Sequence, residues 1–274
     1  MKQKKIIITG GLGYIGTELC KLYSGLSWHH NITVIDNRFI SERVNQIRNW
    51  NMDFINGDIL DKNLINKHFR DADVVHHLAG VTEVPRTKSE SSNVQDEKIK
   101  NVAVQGTQNI LDVISDNCKI IFPSTHVVYE GIDKVKKDIM EEEETKPVLS
   151  YSSSKAINEK QLKDSGKNYI ILRLGSVYGF STDSMRIDIM PNLFSKIASQ
   201  NGTLKLFAAG RQIKSLVPLM DVARCFKFME EKNEYSSEIF NLTKDTLTVK
   251  EVAEICKKHN PKIELRETND EIPN

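Results

Sequence analysis

In IIITGGLGYIG, Ile6–Gly16, three consecutive isoleucines run into four glycines spread over seven residues. The β-branched run fits a strand buried on both faces, as in a parallel sheet. Gly11, Gly13 and Gly16 match G-x-G-x-x-G, and Gly10, Gly13 and Gly16 match the wider G-x-x-G-x-x-G. A chain turning sharply from strand into helix favours residues free to take positive φ. Glycine also lets a pyrophosphate approach the backbone, where the helix start offers unpaired N–H groups and a positive dipole end. Downstream, YIGTELCKLYSG places Ile15, Leu19 and Leu22 at helical spacing and stops at Gly25. Asp36 lies twenty positions past Gly16, near the end of the apolar run NITVIDN. A carboxylate there accepts the ribose hydroxyls of an adenosine and repels a 2′-phosphate, so the pattern favours NAD over NADP. Arg38 is the counter-argument, since a neighbouring arginine can hold that phosphate.

Working outward, short apolar runs alternate with helical patterns. Strands are predicted at Lys5–Gly10, Asn31–Asn37, Met52–Ile59, Asp71–Gly80, Cys118–Thr125 and Asn168–Gly179. Helices are predicted from about Asp96 to Ile114 and over Tyr151–Gly166. This alternation specifies an α/β fold with a doubly wound parallel sheet. After Gly179 the regularity fades. MPNLFSKIAS, LMDVARCFKFMEE and TVKEVAEICKKH read as helices, and GTLKLFA and EIFNLT as short strands. Residues 1–179 are therefore expected to form the dinucleotide domain. Residues 180–274 are expected to form a smaller α+β substrate-binding region over the carboxyl ends of the sheet.

The 274 residues carry a formal net charge of +1, with 39% hydrophobic and 27% charged residues. That balance supports a packed core and gives no electrostatic case for nucleic acid or an anionic membrane surface. The basic start, MKQKKIIITGG, has too short an apolar run for a signal peptide, and no later run approaches the ~18 residues of a membrane span. The four cysteines, Cys20, Cys118, Cys225 and Cys256, form no CxxC pair. They read as reduced structural thiols of a cytoplasmic protein, with no metal site expected.

Tyr151 and Lys155 form Y-x-x-x-K, which a helix places on one face. A free phenol has a pKa of about 10. An ammonium beside it stabilises the phenolate and brings tyrosine within range of general base work. With Thr125 just past the fifth strand, the three residues form a candidate catalytic set.

Taken together, TGGLGYIG, VIDN, NGDI, HHLAG, GTQNIL, FPSTHVVYE, EETKPVLSYSSSKAINE, LRLGSVYG and PLMDVA resemble the extended short-chain dehydrogenase/reductase family, in its nucleotide-sugar epimerase/dehydratase branch. The resemblance runs through almost the whole chain and implies a Rossmann fold. It implies that Gly10, Gly13, Tyr14, Ile15 and Gly16 line the pyrophosphate, that Asp36, Asn37 and Arg38 lie at the adenosine ribose, and that Asp58 and Ile59 lie at the adenine. Leu78, Ala79, Gly80 and Ser124 would lie along the cofactor. Tyr151 would be the base, Lys155 would bind the nicotinamide ribose and tune Tyr151, and Thr125 would occupy the family's Ser/Thr position.

The sequence departs from the family in four places. Dehydratases of the family carry Thr-Asp-Glu where this chain has Thr125, His126 and Val127, which argues against elimination of water. Ala103 replaces an asparagine near the cofactor. Ser176 replaces the asparagine of NVYG, and Lys214 stands where an arginine grips the substrate diphosphate, with Arg211 nearby. Lysine neutralises phosphate without the bidentate fork. A second phosphate-binding arginine is expected near the end, where Arg266 is the candidate. Candidate substrate contacts are thus Thr125, His126, Ser176, Arg211 and Lys214. The resulting expectation is an NAD-dependent nucleotide-sugar 4-epimerase, with homodimerisation through the helices near Asp96–Ile114 and Tyr151–Asp164. The alternatives are a keto-sugar reductase or alcohol dehydrogenase on the same scaffold, and a non-catalytic dinucleotide-binding protein.

Overall fold

A computed structural model describes residues 3–81 and 92–268 of the chain. The isoleucine run forms β1 (Lys5–Thr9). Ile6 and Ile8 face one side of the sheet and Ile7 the other, and all three are fully buried. Both faces of this strand are therefore core, which accounts for a run with no polar alternation.

Around β1 lie β2 (Asn31–Asp36), β3 (Asp53–Asn56), β4 (Val74–His77), β5 (Lys119–Thr125), β6 (Asn168–Leu174) and β10 (Glu238–Leu242). They form one seven-stranded sheet in the order β10-β6-β5-β4-β1-β2-β3, parallel throughout. The order reverses between β1 and β4. Beside such a reversal, at the carboxyl ends of the strands, doubly wound sheets bind their ligands in a crevice. The helices α1 (Tyr14–Tyr23), α2 (Ser41–Asn49) and α8 (Leu219–Glu231) cover one face. The helices α3 (Lys62–His68), α4 (Asn93–Lys100), α5 (Gly106–Leu111) and α6 (Ser150–Asp164) belong to the other.

Two elements differ from the sequence reading. The helix expected from about Asp96 to Ile114 is broken into α4, a π-turn (Asn101–Gln105) and α5. Two side chains of α6 account for the widening. Asn158 donates to the Ala103 carbonyl at 2.9 Å and Gln161 to the Val104 carbonyl at 3.0 Å. These carbonyls are thus supplied with donors from outside the helix. The second difference concerns EIFNLT, which pairs in parallel with β6 as the last strand of the large sheet. The amphipathic α8 packs on α1 and is the crossover that returns the chain to that edge.

The remaining C-terminal elements assemble separately. A three-stranded sheet joins β7 (Ser176–Tyr178), β9 (Ile213–Pro218) and β11 (Asp245–Thr248), while β8 (Thr203–Leu206) pairs with β12 (Glu264–Glu267). With α7 (Met190–Ser199) and α9 (Val249–His259) they enclose their own core of Phe194, Leu204, Leu206, Leu216, Val252 and Ile263. We propose this interleaved lobe, with α8 and β10 left to the large sheet, as the substrate-binding region.

Candidate active site at the sheet switch point

The glycine-rich turn joins β1 to α1. Gly10 has φ +67°, a left-handed conformation that favours glycine, and a Cβ there would sit 2.8 Å from the Ala79 backbone nitrogen. A Cβ on Gly16 would lie 2.6 Å from Gly11 Cα and collide with the Gly10 carbonyl oxygen. The turn is pinned from behind, since Gly10 N–H donates to the Ile35 carbonyl at 2.7 Å and Leu12 N–H to the Asp36 carboxylate at 3.0 Å. Gly13 caps α1 with no side-chain acceptor on the first-turn amides. A diphosphate fits this cradle because open helix-start donors and glycine backbone meet at one point.

Asp36, buried at the end of β2, uses one carboxylate oxygen on Leu12 and the other on Arg38, accepting from its N–H at 3.0 Å and its Nε at 3.3 Å. The Arg38 guanidinium reaches back over the turn, within 3.8 Å of where a Gly13 Cβ would stand. Asn37 donates to Asp58 at 3.1 Å, which joins two of the polar residues assigned to the adenosine end. Ile59 differs in that its side chain is buried against Gly106. Ala79 N–H donates to the Thr9 hydroxyl at 3.1 Å, so the Leu78–Gly80 segment abuts the turn from β4. Removing the Asp36 charge frees Arg38 to meet a phosphate. Asp36→Ser is expected to weaken NAD binding about 10–100-fold and to bring NADP affinity level with or above it. Calorimetric titration with each dinucleotide measures this.

Two residues assigned to the cofactor are turned elsewhere. The Tyr14 hydroxyl donates to the Gly179 carbonyl and accepts from Asn192 at 3.1 Å, so it ties α1 to the C-terminal lobe. Glu18 reinforces the tie by accepting from Ser181 at 2.8 Å, and Arg43 donates to the carbonyls of both Leu12 and Asp183. Ser124, fully inside the sheet, donates to Glu159 at 2.5 Å. Its hydroxyl is engaged under α6 because β5 is buried along its whole length.

Across the crevice, α6 and the end of β5 bring Tyr151, Lys155 and Thr125 together. The Thr125 side chain acts on the Tyr151 phenol, favouring its ionised form. The Lys155 ammonium donates to the Pro123 carbonyl at 2.7 Å and lies 4.3 Å from the Phe122 ring centroid and 5.9 Å from that of Tyr151. Burial lowers the Lys155 pKa from 10.5 to about 8, opposed by the Glu159 charge. Burial also raises the Tyr151 phenol above its ordinary range, with Arg186 and the Thr125 side chain pulling it back. The spacing led to the expectation of a phenol lowered by the lysine; the causes acting on the phenol here are desolvation, Arg186 and Thr125. The ammonium is spent on a carbonyl and a ring face, and desolvation governs the phenol.

His126 follows Thr125 in a 3₁₀ turn (His126–Tyr129). Its Nδ1 donates to the Leu174 carbonyl at 2.9 Å, and burial keeps its pKa below the ordinary value. A neutral imidazole tied to backbone is no substitute for the dehydratase carboxylate pair. Ser176 lies on β7 and pairs in register with Leu216 of β9. Lys214 and Arg211 are exposed, on β9 and just before it. Arg266, on β12, is separated from them in the β8–β12 pair.

The sequence reading passed over Glu159, Arg173 and Arg186. Glu159 carried a visible signal, since Tyr151, Lys155 and Glu159 continue one spacing of four along a helix face. Arg173 and Arg186 come from β6 and the lobe loop, and no local pattern links them to that face.

Residues 6–243 match the family described as NAD dependent epimerase/dehydratase. The chain is 28% identical to the UDP-N-acetyl-alpha-D-glucosaminuronate decarboxylase of Bacillus cytotoxicus, over 92% of this chain and 79% of that one. It is 29% identical to a UDP-glucose 4-epimerase of Neisseria meningitidis serogroup C, over 59% of this chain and 48% of that one. Among solved structures it is similar to the UDP-N-acetylglucosamine 4-epimerase of Methanobrevibacter ruminantium (TM-score 0.81, 23% identity, 100% of this chain and 87% of that one). It is similar also to the UDP-glucuronic acid 4-epimerase of Bacillus cereus solved with UDP-glucuronic acid and NAD (TM-score 0.80, 23% identity, 98% and 87%). At that identity the structural likeness establishes the fold, and the match over residues 6–243 establishes the kinship. The chain belongs to the NAD dependent epimerase/dehydratase family, a family of enzymes built on a dinucleotide-binding Rossmann sheet.

Proposed function

We propose that the chain is a nucleotide-sugar 4-epimerase of the UDP-glucose 4-epimerase kind. The observation that carries the reading is the composition of the catalytic corner. Tyr151, Thr125 and Lys155 converge there, while the two positions after Thr125 hold a backbone-tied His126 and an apolar Val127. Inversion at C4 needs one base and a retained redox group. Dehydration needs a further acid–base carboxylate that these positions do not supply.

NAD, when bound, supplies reversible hydride acceptance at the sugar carbon. This chain does the rest. The glycine-rich turn and α1 start receive the diphosphate, with Asp36, Asn37 and Asp58 at the adenosine end. Lys155 holds the nicotinamide ribose, and Tyr151 takes the O4 proton, with the Thr125 side chain favouring its ionised form. Arg211 and Lys214 offer positive charge to the nucleotide diphosphate of the substrate. The sugar's C4 stereochemistry inverts when the keto form turns in the pocket before O4 is reprotonated by Tyr151.

The purified protein treated with UDP-glucose or UDP-galactose is expected to show transient reduced-cofactor absorbance, a C4-inverted product and no net consumption of added NAD. Stoichiometric turnover of added NAD(H) overturns the reading in favour of a reductase or dehydrogenase. A second reading, oxidation and decarboxylation of a nucleotide uronic acid, draws support from the likeness over most of its length to the Bacillus cytotoxicus decarboxylase. Carbon dioxide release from a UDP-uronate distinguishes it.

Homodimerisation through α4 and α6 is proposed on the same terms. Val94 is 81% exposed and Ile157 41% exposed on these helices. A groove of about 470 Å³ runs between them, lined by Val104 and Ile157 among polar residues. Among the described residues no helix is long and apolar enough to cross a membrane, and we propose a cytoplasmic location.

A further inference from the structure

Thr125 and Tyr151 reach the catalytic corner on two separate stretches of chain. Thr125 ends β5 and leads into the 3₁₀ turn His126–Tyr129, whereas Tyr151 stands on the first turn of α6. Between them the chain makes an excursion through residues 132–145, which holds Lys134, Lys136 and Lys137 and the acidic run at 141–144. Backbone pairs close the neck of this excursion. Lys146 N–H donates to the Val128 carbonyl at 2.7 Å, and Gly131 N–H to the Lys146 carbonyl at 2.8 Å. One side chain adds to the closure. Glu130 Oε1 accepts from Val148 N–H at 2.7 Å, from Leu149 N–H at 2.8 Å and from the Ser152 hydroxyl.

The start of α6 needs such help. Its N-cap is Leu149, which has no side-chain oxygen to offer, where helices ordinarily place Ser, Thr, Asp or Asn. Glu130 supplies an acceptor from the preceding segment and sets a negative charge at the positive end of the helix dipole. The groups it gathers bracket Tyr151 in sequence, with Val148 and Leu149 before it and the fully buried Ser152 directly after. Glu130 itself ends the 3₁₀ turn that begins on Thr125, whose hydroxyl accepts from Val127 N–H at 3.3 Å. One carboxylate oxygen therefore joins the segment that carries Thr125 to the helical turn that carries Tyr151. Glu130 is exposed, and exposed carboxylate contacts contribute little to stability. Its effect is expected in the geometry of the corner instead.

We propose that Glu130 is a positioning residue for the reaction: its carboxylate oxygen fixes the first turn of α6 against the segment that follows β5, and so sets where Tyr151 stands relative to Thr125. The inference rests on the reading of Tyr151 as the base. A contact that served only the excursion would leave the phenol indifferent to residue 130. A positioning contact makes the phenol depend on it, and displacing a reacting group by about 1 Å costs up to about 10²-fold in rate. What matters in this proposal is an acceptor oxygen at that place. Glutamine keeps one and alanine does not.

The test compares Glu130→Ala with Glu130→Gln in two measurements. Protein labelled with ¹³C at tyrosine Cζ is observed by NMR without substrate, the Tyr151 resonance being identified by its loss in Tyr151→Phe. Steady-state kinetics on UDP-galactose give kcat and KM. In Glu130→Ala the Tyr151 resonance is expected to move and kcat to fall about 10–100-fold, with KM little changed. In Glu130→Gln the resonance is expected to stay and kcat to remain within about threefold of wild type. NAD affinity should be unchanged in both. Should Glu130→Ala fail to fold, Ser152→Ala removes one of the three donors and is expected to move the resonance the same way by less. An unmoved Tyr151 resonance in the folded variants overturns the proposal, as does a wild-type kcat in Glu130→Ala. Equal losses in Glu130→Ala and Glu130→Gln overturn it too, because charge and not the acceptor would then be at work. A wild type that turns over no nucleotide sugar, with the resonance displaced in Glu130→Ala alone, overturns the epimerase reading and leaves the positioning of Tyr151 by Glu130 standing.

Discussion

Tyr151→Phe is expected to lower turnover by about 10²–10⁴-fold, the usual contribution of one positioned acid–base group, with no loss of NAD binding or thermal stability. The separation follows from where the ring sits. The phenol stands on the first turn of α6, where desolvation raises its pKa and the Thr125 side chain lowers it. Phenylalanine keeps the ring and removes a hydroxyl whose burial carries its own cost, so packing is preserved while the proton acceptor is lost. Steady-state kinetics on the nucleotide sugar, with a melting curve and an NAD titration of the same preparation, test the three parts together. If Tyr151→Phe turned over at the wild-type rate, the phenol would not be the base and the epimerase reading would fail. If it also lost NAD, the residue would be structural to the crevice.

The pH dependence adds a constraint on the same site. Burial lowers the Lys155 pKa to about 8 and raises that of the phenol above its ordinary range. The protonated lysine is the form that can stabilise a phenolate, so activity depending on it should fall as pH rises through about 8.

What was legible in the sequence was what is encoded locally. Ile6–Ile8 and the glycines after them specify strand, turn and helix within a dozen residues, and β1, α1 and the Asp36 carboxylate lie where that pattern puts them. The Tyr151–Lys155 face was likewise readable because one helix fixes it. The rest depends on contacts between distant segments. No periodicity reveals that Asn158 and Gln161 widen the helix before α5 into a π-turn, since the carbonyls they satisfy lie 55 and 57 residues away. Nor does a short strand such as EIFNLT say which sheet it joins, because the crossover through α8 decides that. Tyr14 illustrates the limit within the motif itself. It opens α1 beside the turn, yet its hydroxyl belongs to Gly179 and Asn192, which only the folded lobe brings near.

The glycine-rich turn gives the second large effect. Gly16→Ala is expected to reduce NAD affinity by at least about tenfold and to destabilise the protein by about 1–3 kcal/mol, the usual cost of forcing an extra carbon into a packed site. The added methyl would meet Gly11 Cα at 2.6 Å and the Gly10 carbonyl oxygen. Both are backbone, so no side chain can rotate out of the way. Relief comes only from moving α1 off the turn, and the turn is held by Gly10 N–H on Ile35 and Leu12 N–H on Asp36. Shifting α1 also withdraws its first-turn amides from the place a diphosphate occupies, which couples lost stability to lost affinity. Gly25, just beyond the same helix, supplies the control. A Cβ there meets nothing within 4 Å, so Gly25→Ala should bind NAD as the wild type does and melt at or above its temperature. Calorimetric NAD titration and thermal melts of the two variants decide the matter. A Gly16→Ala protein that bound NAD with wild-type affinity would show that the close approach of helix to strand is not what makes this crevice a dinucleotide site.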